Sequence, residues 1–184
     1  MKATETKLKG CFILEPTVFE DSRGYFFESY NENKLKEILG YKPTFVQDNQ
    51  SKSSYGVVRG LHMQAGEHAQ AKLVRVVEGA VIDVAVDVRP GSETYGQSVA
   101  VELSADNKKQ LFIPRGFLHG FSVISDSATF FYKCDNGYNK ASEDGVNPLD
   151  GEIGIDWGIP SDKIIISDKD QEAQSFGEFK VKKR

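Results

Sequence analysis

The sequence predicts an all-β fold, a barrel or two-sheet sandwich, on three observations. From Val57 onward the apolar residues recur with a period of two. Strand-like runs return roughly every 8 to 12 residues, with Gly, Pro, Asn and Asp between them. A convincing helical repeat occurs once, between Asn31 and Gly40. A chain of 184 residues fits one domain spanning 1–184, with a core large enough that neither disulfide nor metal is needed to fold it.

In order, LKGCFILEPTVFE holds two short strand-like pieces broken at Pro16, and DSRG at Asp21 to Gly24 is a turn. YFFESY is the next strand. Its alternation sets Glu28 on one face with Phe26 and Tyr30, as a solvated edge residue or, with Arg23, at a pocket rim. Asn31 caps a helix whose stripe Leu35, Ile38 and Leu39 stops at Gly40. TFVQDNQSKSS, with Gln47, Asp48, Asn49 and Gln50 in a row, reads as a loop, a kind of segment that can also line a polar site. The run Leu73 to Val88 splits at Glu78-Gly79 into two strands; Ile82, Val84, Val86 and Val88 share an apolar face and Asp83 and Asp87 point the other way. SVAVEL, QLFIP, FSVIS and ATFFYK are further strands, with RPGSETYG, ADNKK and RGFLHG as turns. Beyond Cys134 the pattern loosens into a Gly-, Asn- and Asp-rich segment containing Trp157. IIIS is then expected to return as a last strand, with Asp168 and Asp170 just past its end, and the final dozen residues to pack loosely.

The net charge of −4 argues against a general nucleic-acid binder, since phosphate affinity comes from clustered Lys and Arg. The basic ending KVKKR reads as a solvated terminus. Two cysteines, Cys11 and Cys134, without metal-ligand spacing point to a reducing cytoplasm and to plain core positions. The apolar run near the start is four residues long, so neither a leader nor a membrane span is expected.

Chemistry concentrates in Val57 to Lys72, VVRGLHMQAGEHAQAK, which packs two of the three histidines, an arginine, two glutamines and a lysine between strand residues. His62 is a candidate base, because imidazole titrates near neutrality. Arg59, Gln64 and Lys72 would crowd the same barrel mouth, and Tyr132 in TFFYK could donate or return a proton. The spacing Pro114-Arg115-Gly116-Phe117-Leu118-His119 resembles the second motif of the cupin superfamily of small jelly-roll barrels. Metal-binding cupins carry H-x-H in their first motif, whereas this chain has His62-Met63-Gln64. A metal site would then need His62, His119, Glu67 and His68, a strained set, and none is expected.

RGLHMQ, QAKLVRVVEGAVIDVAVD, SRGYFFESY, FVQDNQS, LFIPRGFLHGF and FFYKCDNGY, in that company, resemble the dTDP-4-dehydrorhamnose 3,5-epimerase family from about Leu14 to Asp170. The resemblance implies a cupin-like jelly roll with one short helix and a loop-rich C-terminal segment. It implies a homodimer acting on a dTDP-deoxysugar in dTDP-L-rhamnose and polysaccharide biosynthesis, without a cofactor. His62 would be the base, oriented by Asp170, with Tyr132 as opposing proton donor and Lys72 stabilising the enolate oxygen. Arg23, Arg59 and His119 match substrate contacts, the arginines suiting the diphosphate. Glu28, Gln47, Asp48, Asn49 and Glu143 match further nucleotide and sugar contacts, and Phe19 and Tyr138 the aromatic pair that sandwiches thymine. The family commonly has an aromatic residue where Met63 stands; it points away from His62, so the change is one of packing. Relatives on the same barrel invert only C3 or only C5, or move the ketone. A metal-dependent cupin enzyme and a non-catalytic nucleotide-sugar binder are the readings from other classes.

Overall fold

The computed structural model describes residues 1–179. Those residues form strands β1 (Lys2–Glu5), β2 (Phe12–Glu15), β3 (Val18–Asp21) and β4 (Gly24–Phe27), then helix α1 (Glu32–Leu39). Next come β5 (Gln47–Ser54), β6 (Val58–Gln64), β7 (Lys72–Glu78), β8 (Ala80–Asp87), β9 (Ser98–Ser104), β10 (Gln110–Ile113), β11 (Phe117–Val123) and β12 (Ser127–Cys134). The short β13 (Glu143–Gly145) and α2 (Asp168–Gln171) follow. Two sheets, in the orders β1-β2-β10-β7-β12-β5 and β13-β6-β11-β8-β9, pack face to face as a jelly roll, and β3 and β4 form a separate hairpin. All pairings between named strands are antiparallel.

Alternation sorts each strand's side chains between three apolar layers. Val74, Val76, Val81, Ala85, Leu103, Phe121 and Phe130 meet between the sheets. Phe121 and Phe130, from opposite sheets, stack with centroids 4.2 Å apart. Outside the six-stranded sheet, Leu35 of α1 packs on Leu14, Leu73 and Phe112. The helix starts where the Asn31 side chain accepts from the Asn33 and Lys34 N–H groups, and stops at Gly40, whose φ of 75° suits glycine. Outside the five-stranded sheet, Val84, Val86 and Leu118 are covered by the C-terminal segment through Trp157 and Phe179. The apolar face expected on β8 is therefore an outer face under this cover, and Asp83 and Asp87 on its other face are fully buried inside.

Several expectations change. The polar run after Pro43 is not a loop from Gln47 onward: it is β5, paired with β12 along eight residues. Its burial alternates with period two, but Gln47, Asn49, Ser51 and Ser53 fill the inward positions, so no apolar face announced it. Phe117 to Gly120 belong to β11 and not to a turn. IIIS does not add a strand: it makes one parallel bridge, Val57 to Ile165, before Ser167 caps α2. Strands β1 and β13 were not expected. In the final dozen residues, Phe176 and Phe179 pack against the outer cluster; the basic ending lies outside the described residues. No described helix is long and apolar enough to cross a membrane.

Candidate active site

A cavity of about 620 Å³ opens between the sheets and is lined by Arg59, His62, Lys72, His119, Tyr132 and Asp170, with Asn49, Ser51, Ile165 and Lys169 among its other walls. The topology explains the gathering. Arg59, His62 and His119 stand on β6 and β11 of one sheet, and Lys72 and Tyr132 on β7 and β12 of the other. A ligand between the sheets therefore meets imidazole on one side and phenol and ammonium on the other.

One irregularity places the first wall. His119 pairs with His62, yet Phe121 pairs with Arg59, so β6 spends one residue more than β11 over this stretch. The extra residue is a bulge at Gly60, which lets Arg59 and His62, three apart, both face inward. Only glycine fits there. Gly60 has φ +123°, and a Cβ on it would lie 2.7 Å from the Gly120 Cα and from the His119 carbonyl oxygen. Strict alternation would have sent Arg59 and His62 to opposite faces.

His62 Nε2–H donates to Asp170 Oδ1 at 2.6 Å, since a carboxylate can only accept. That leaves Nδ1 as the acceptor of the ring, the state a general base needs. Asp170 is fixed by α2, where its own N–H donates to Ser167 Oγ. Burial pushes the Asp170 carboxyl up, but the hydrogen bonds from His62, Ser167 and the Gly60 N–H outweigh this and hold it below the usual range. Of the two C-terminal aspartates, Asp170 is the one paired with His62.

A second pair lies deeper. His119 Nε2–H donates to Asp83 Oδ1 at 2.8 Å, with both side chains buried. Burial lowers the pKa of His119; Asp83 opposes that shift, while Lys72 and His62 add to it. Burial likewise lowers that of Lys72, whose Nζ lies 5.8 Å from the Tyr132 ring centroid, and raises that of the Tyr132 phenol. At neutral pH Tyr132 is thus a protonated donor. Arg59 Nε donates to Ser53 Oγ across the sheets.

The remaining candidates divide. Around the mouth, Gln47 accepts from the Tyr138 N–H, the Tyr138 hydroxyl donates to Glu143, and Glu143 accepts from Lys169 at 2.6 Å. Asn49 lines the cavity, whereas Asp48 points outward to a salt bridge with Lys133. Phe19 and Arg23 lie on the β3–β4 hairpin in a separate depression, Arg23 bound to Asp21, and Glu28 is tied to Lys34 and Asn31. Within one chain these three do not join the cavity. Asp83 and Lys169 were not singled out from the sequence. The alternating aspartate in VIDVAVDV was the available signal for the first; the second had none.

The four residues weighed for a metal are not gathered into one set. His62 and His119 line the cavity, whereas His68, which accepts from the Asn139 side chain, lies with Glu67 outside its walls, and Gln64, at the second histidine position, accepts from the Asn139 N–H. Among the described residues no group of three or more His, Cys, Asp or Glu could hold an ion.

The sequence model of the dTDP-4-dehydrorhamnose 3,5-epimerase family matches residues 5–178. The dTDP-4-dehydrorhamnose 3,5-epimerase of Escherichia coli (strain K12) is 52% identical over 179 residues, 97% of this chain and 96% of that protein. The crystal structure of the enzyme of the same name from Elizabethkingia anophelis superposes with a TM-score of 0.93 at 59% identity, covering 97% of each chain. The dTDP-6-deoxy-D-glucose-3,5-epimerase of Legionella pneumophila, crystallised with dTDP-4-keto-L-rhamnose, gives 0.93 at 44% identity over 97% of this chain and 94% of its own. The chain belongs to the dTDP-4-dehydrorhamnose 3,5-epimerase family.

Proposed function

We propose that this protein is a cofactor-independent isomerase, inverting C3 and C5 of dTDP-4-dehydro-6-deoxy-D-glucose to give dTDP-4-dehydro-L-rhamnose. The observation that carries the reading is an imidazole base and a phenol facing each other from opposite walls of one cavity. Both carbons flank the C4 ketone, so loss of either proton gives an enolate. His62 Nδ1 takes the proton, the Lys72 ammonium meets the oxyanion, and the Tyr132 hydroxyl returns a proton to the opposite face. Substrate and product have the same oxidation level, so no redox partner enters the balance. A positioned base contributes about 10² to 10⁴ in rate, and an oxyanion donor about 10² to 10³.

Arg59, His119 and Asn49 then meet the sugar and diphosphate inside the cavity, and Tyr138, Gln47 and Glu143 the nucleotide at its mouth. Phe19, Arg23 and Glu28 complete the site in a homodimer, and Asp48 acts at its edge. What supports the dimer is the hairpin itself, which leaves Phe19, Tyr25 and Phe26 more than half exposed. The protein acts as one cupin-like domain over 1–184, in the cytoplasm, supplying dTDP-L-rhamnose for polysaccharide. Proton NMR of the substrate with the protein in deuterium oxide tests the reading: deuterium is expected at both C3 and C5 with inversion. Exchange at one carbon alone would make it a mono-epimerase, and no exchange would reduce it to a binding protein.

A further inference from the structure

Asp83 has no part in the reaction as written above, yet its setting calls for one. It is fully buried on β8; Oδ1 accepts from His119, and Oδ2 meets no donor among the described residues. An unsatisfied buried carboxylate oxygen is costly. Asp87, four residues on along the same face, has both oxygens filled by Arg89, Ser92 and Thr94. The same strand therefore satisfies one interior carboxylate fully and the other by half.

The Lys72 ammonium has no hydrogen bond or salt bridge among the described residues, although its backbone pairs within the sheet. Tyr132, His119 and His62 share its cavity, Cys134 pairs with it across β7 and β12, and the carboxylates of Asp83 on β8 and Glu143 on β13 act on its charge. Burial raises the Cys134 thiol, so it stays neutral at working pH. Glu143 is engaged by Lys169 at 2.6 Å. Of these two carboxylates, Asp83 is the one with an oxygen that meets no donor among the described residues.

We propose that Asp83 is a positioning residue: its Oδ1 fixes the His119 tautomer, with Nδ1 as the acceptor of the ring, and its charge holds Lys72 as an ammonium for the enolate. This rests on the epimerase reading of the same cavity. Lys72 must be protonated to act and is lost to the reaction as pH rises through its lowered pKa. Removing the negative charge lowers that pKa further, so the alkaline fall in rate begins at lower pH.

The test reads Lys72 directly. In the full-length protein, the pH dependence of amine modification at Lys72 is followed by peptide mass spectrometry in wild type and Asp83→Asn, with exposed Lys52 as control. The Lys72 midpoint is expected to fall by about one pH unit, with Lys52 unmoved, and the alkaline limb of kcat/KM to move with it. An unchanged Lys72 midpoint overturns the proposal, however slow the variant. A lowered midpoint in a protein that never turns over the sugar supports the charge role and overturns the epimerase reading instead. Should Asp83→Asn fail to fold, Asp83→Leu/His119→Phe replaces both ends of the bond by apolar groups together, and the same midpoint decides.

Discussion

Two histidine–aspartate pairs stand on neighbouring strands of one wall and differ chiefly in burial. The His62–Asp170 pair has 35% of its imidazole side chain exposed; the His119–Asp83 pair has 7%. Asp170 arrives from a short helix 108 residues further on, where Ser167 caps its turn. Asp83 comes from the adjacent β8 and has no solvent contact. The same donor–acceptor chemistry thus serves two ends. On the proposed reading the more exposed ring exchanges a proton with the substrate, whereas the buried ring, its pKa lowered by burial, stays neutral and orients what touches it.

Short of removing the base itself, the largest effect expected from breaking this contrast is at Asp170. Asp170→Asn keeps the shape but lets the His62 proton choose the wrong nitrogen, and kcat is expected to fall by about 10² to 10³, read by the progress of inversion in NMR. Tyr132→Phe sharpens the contrast from the opposite wall. It is expected to cost inversion about 10²-fold while solvent exchange at the carbon proton persists, because His62 can still remove and return a proton on its own face. Equal loss of exchange and inversion would place Tyr132 in the abstraction step instead.

Gly60→Ala disturbs both pairs through the bulge that seats them. A methyl group 2.7 Å from the Gly120 backbone, at φ +123°, is expected to cost about 2 to 3 kcal/mol in urea unfolding. A loss within 0.5 kcal/mol would show that the bulge relaxes freely. The smallest effect concerns Asp87, the satisfied counterpart of Asp83. Burial pushes its carboxyl up, but the Arg89, Ser92 and Thr94 bonds hold it well below the usual range. Its folded pKa is depressed, so its contribution is present above about pH 4 and fades as pH falls towards the folded pKa. Asp87→Asn is expected to cost about 1 to 2 kcal/mol at pH 7 and to flatten the acid side of the stability curve. A cost independent of pH would contradict this.

Much of the barrel was legible because apolar alternation is strong in β7 through β12, and the capped helix because Asn31, its leucine stripe and Gly40 agree. What stayed hidden followed physical rules that a linear pattern does not carry. The strand β5 was hidden because the cavity it lines is polar, so its inward residues carry no hydrophobic signal. The shared inward face of Arg59 and His62 depends on one extra residue at Gly60. Asp83 reads only as pointing away from the apolar face of its strand, and it is the closure of the sheets that turns its own face inward. The gathering of His62, Lys72, Tyr132 and Asp170 was reachable through resemblance, since Asp170 lies 108 residues from its partner and no local spacing links them. Phe19, Arg23 and Glu28 lie away from the cavity within one chain, so resemblance, and not the geometry of the cavity, is what singles them out.

The measurement that bears most directly on the division of labour is deuterium wash-in at C3 and C5, compared in wild type, His62→Ala and His119→Ala. His62→Ala is expected to lose exchange at both carbons by about 10³-fold or more. His119→Ala is expected to keep exchange at saturating substrate while KM rises. Near-normal exchange without His62, or complete loss without His119 alone, would contradict the assignment of the open pair to proton transfer.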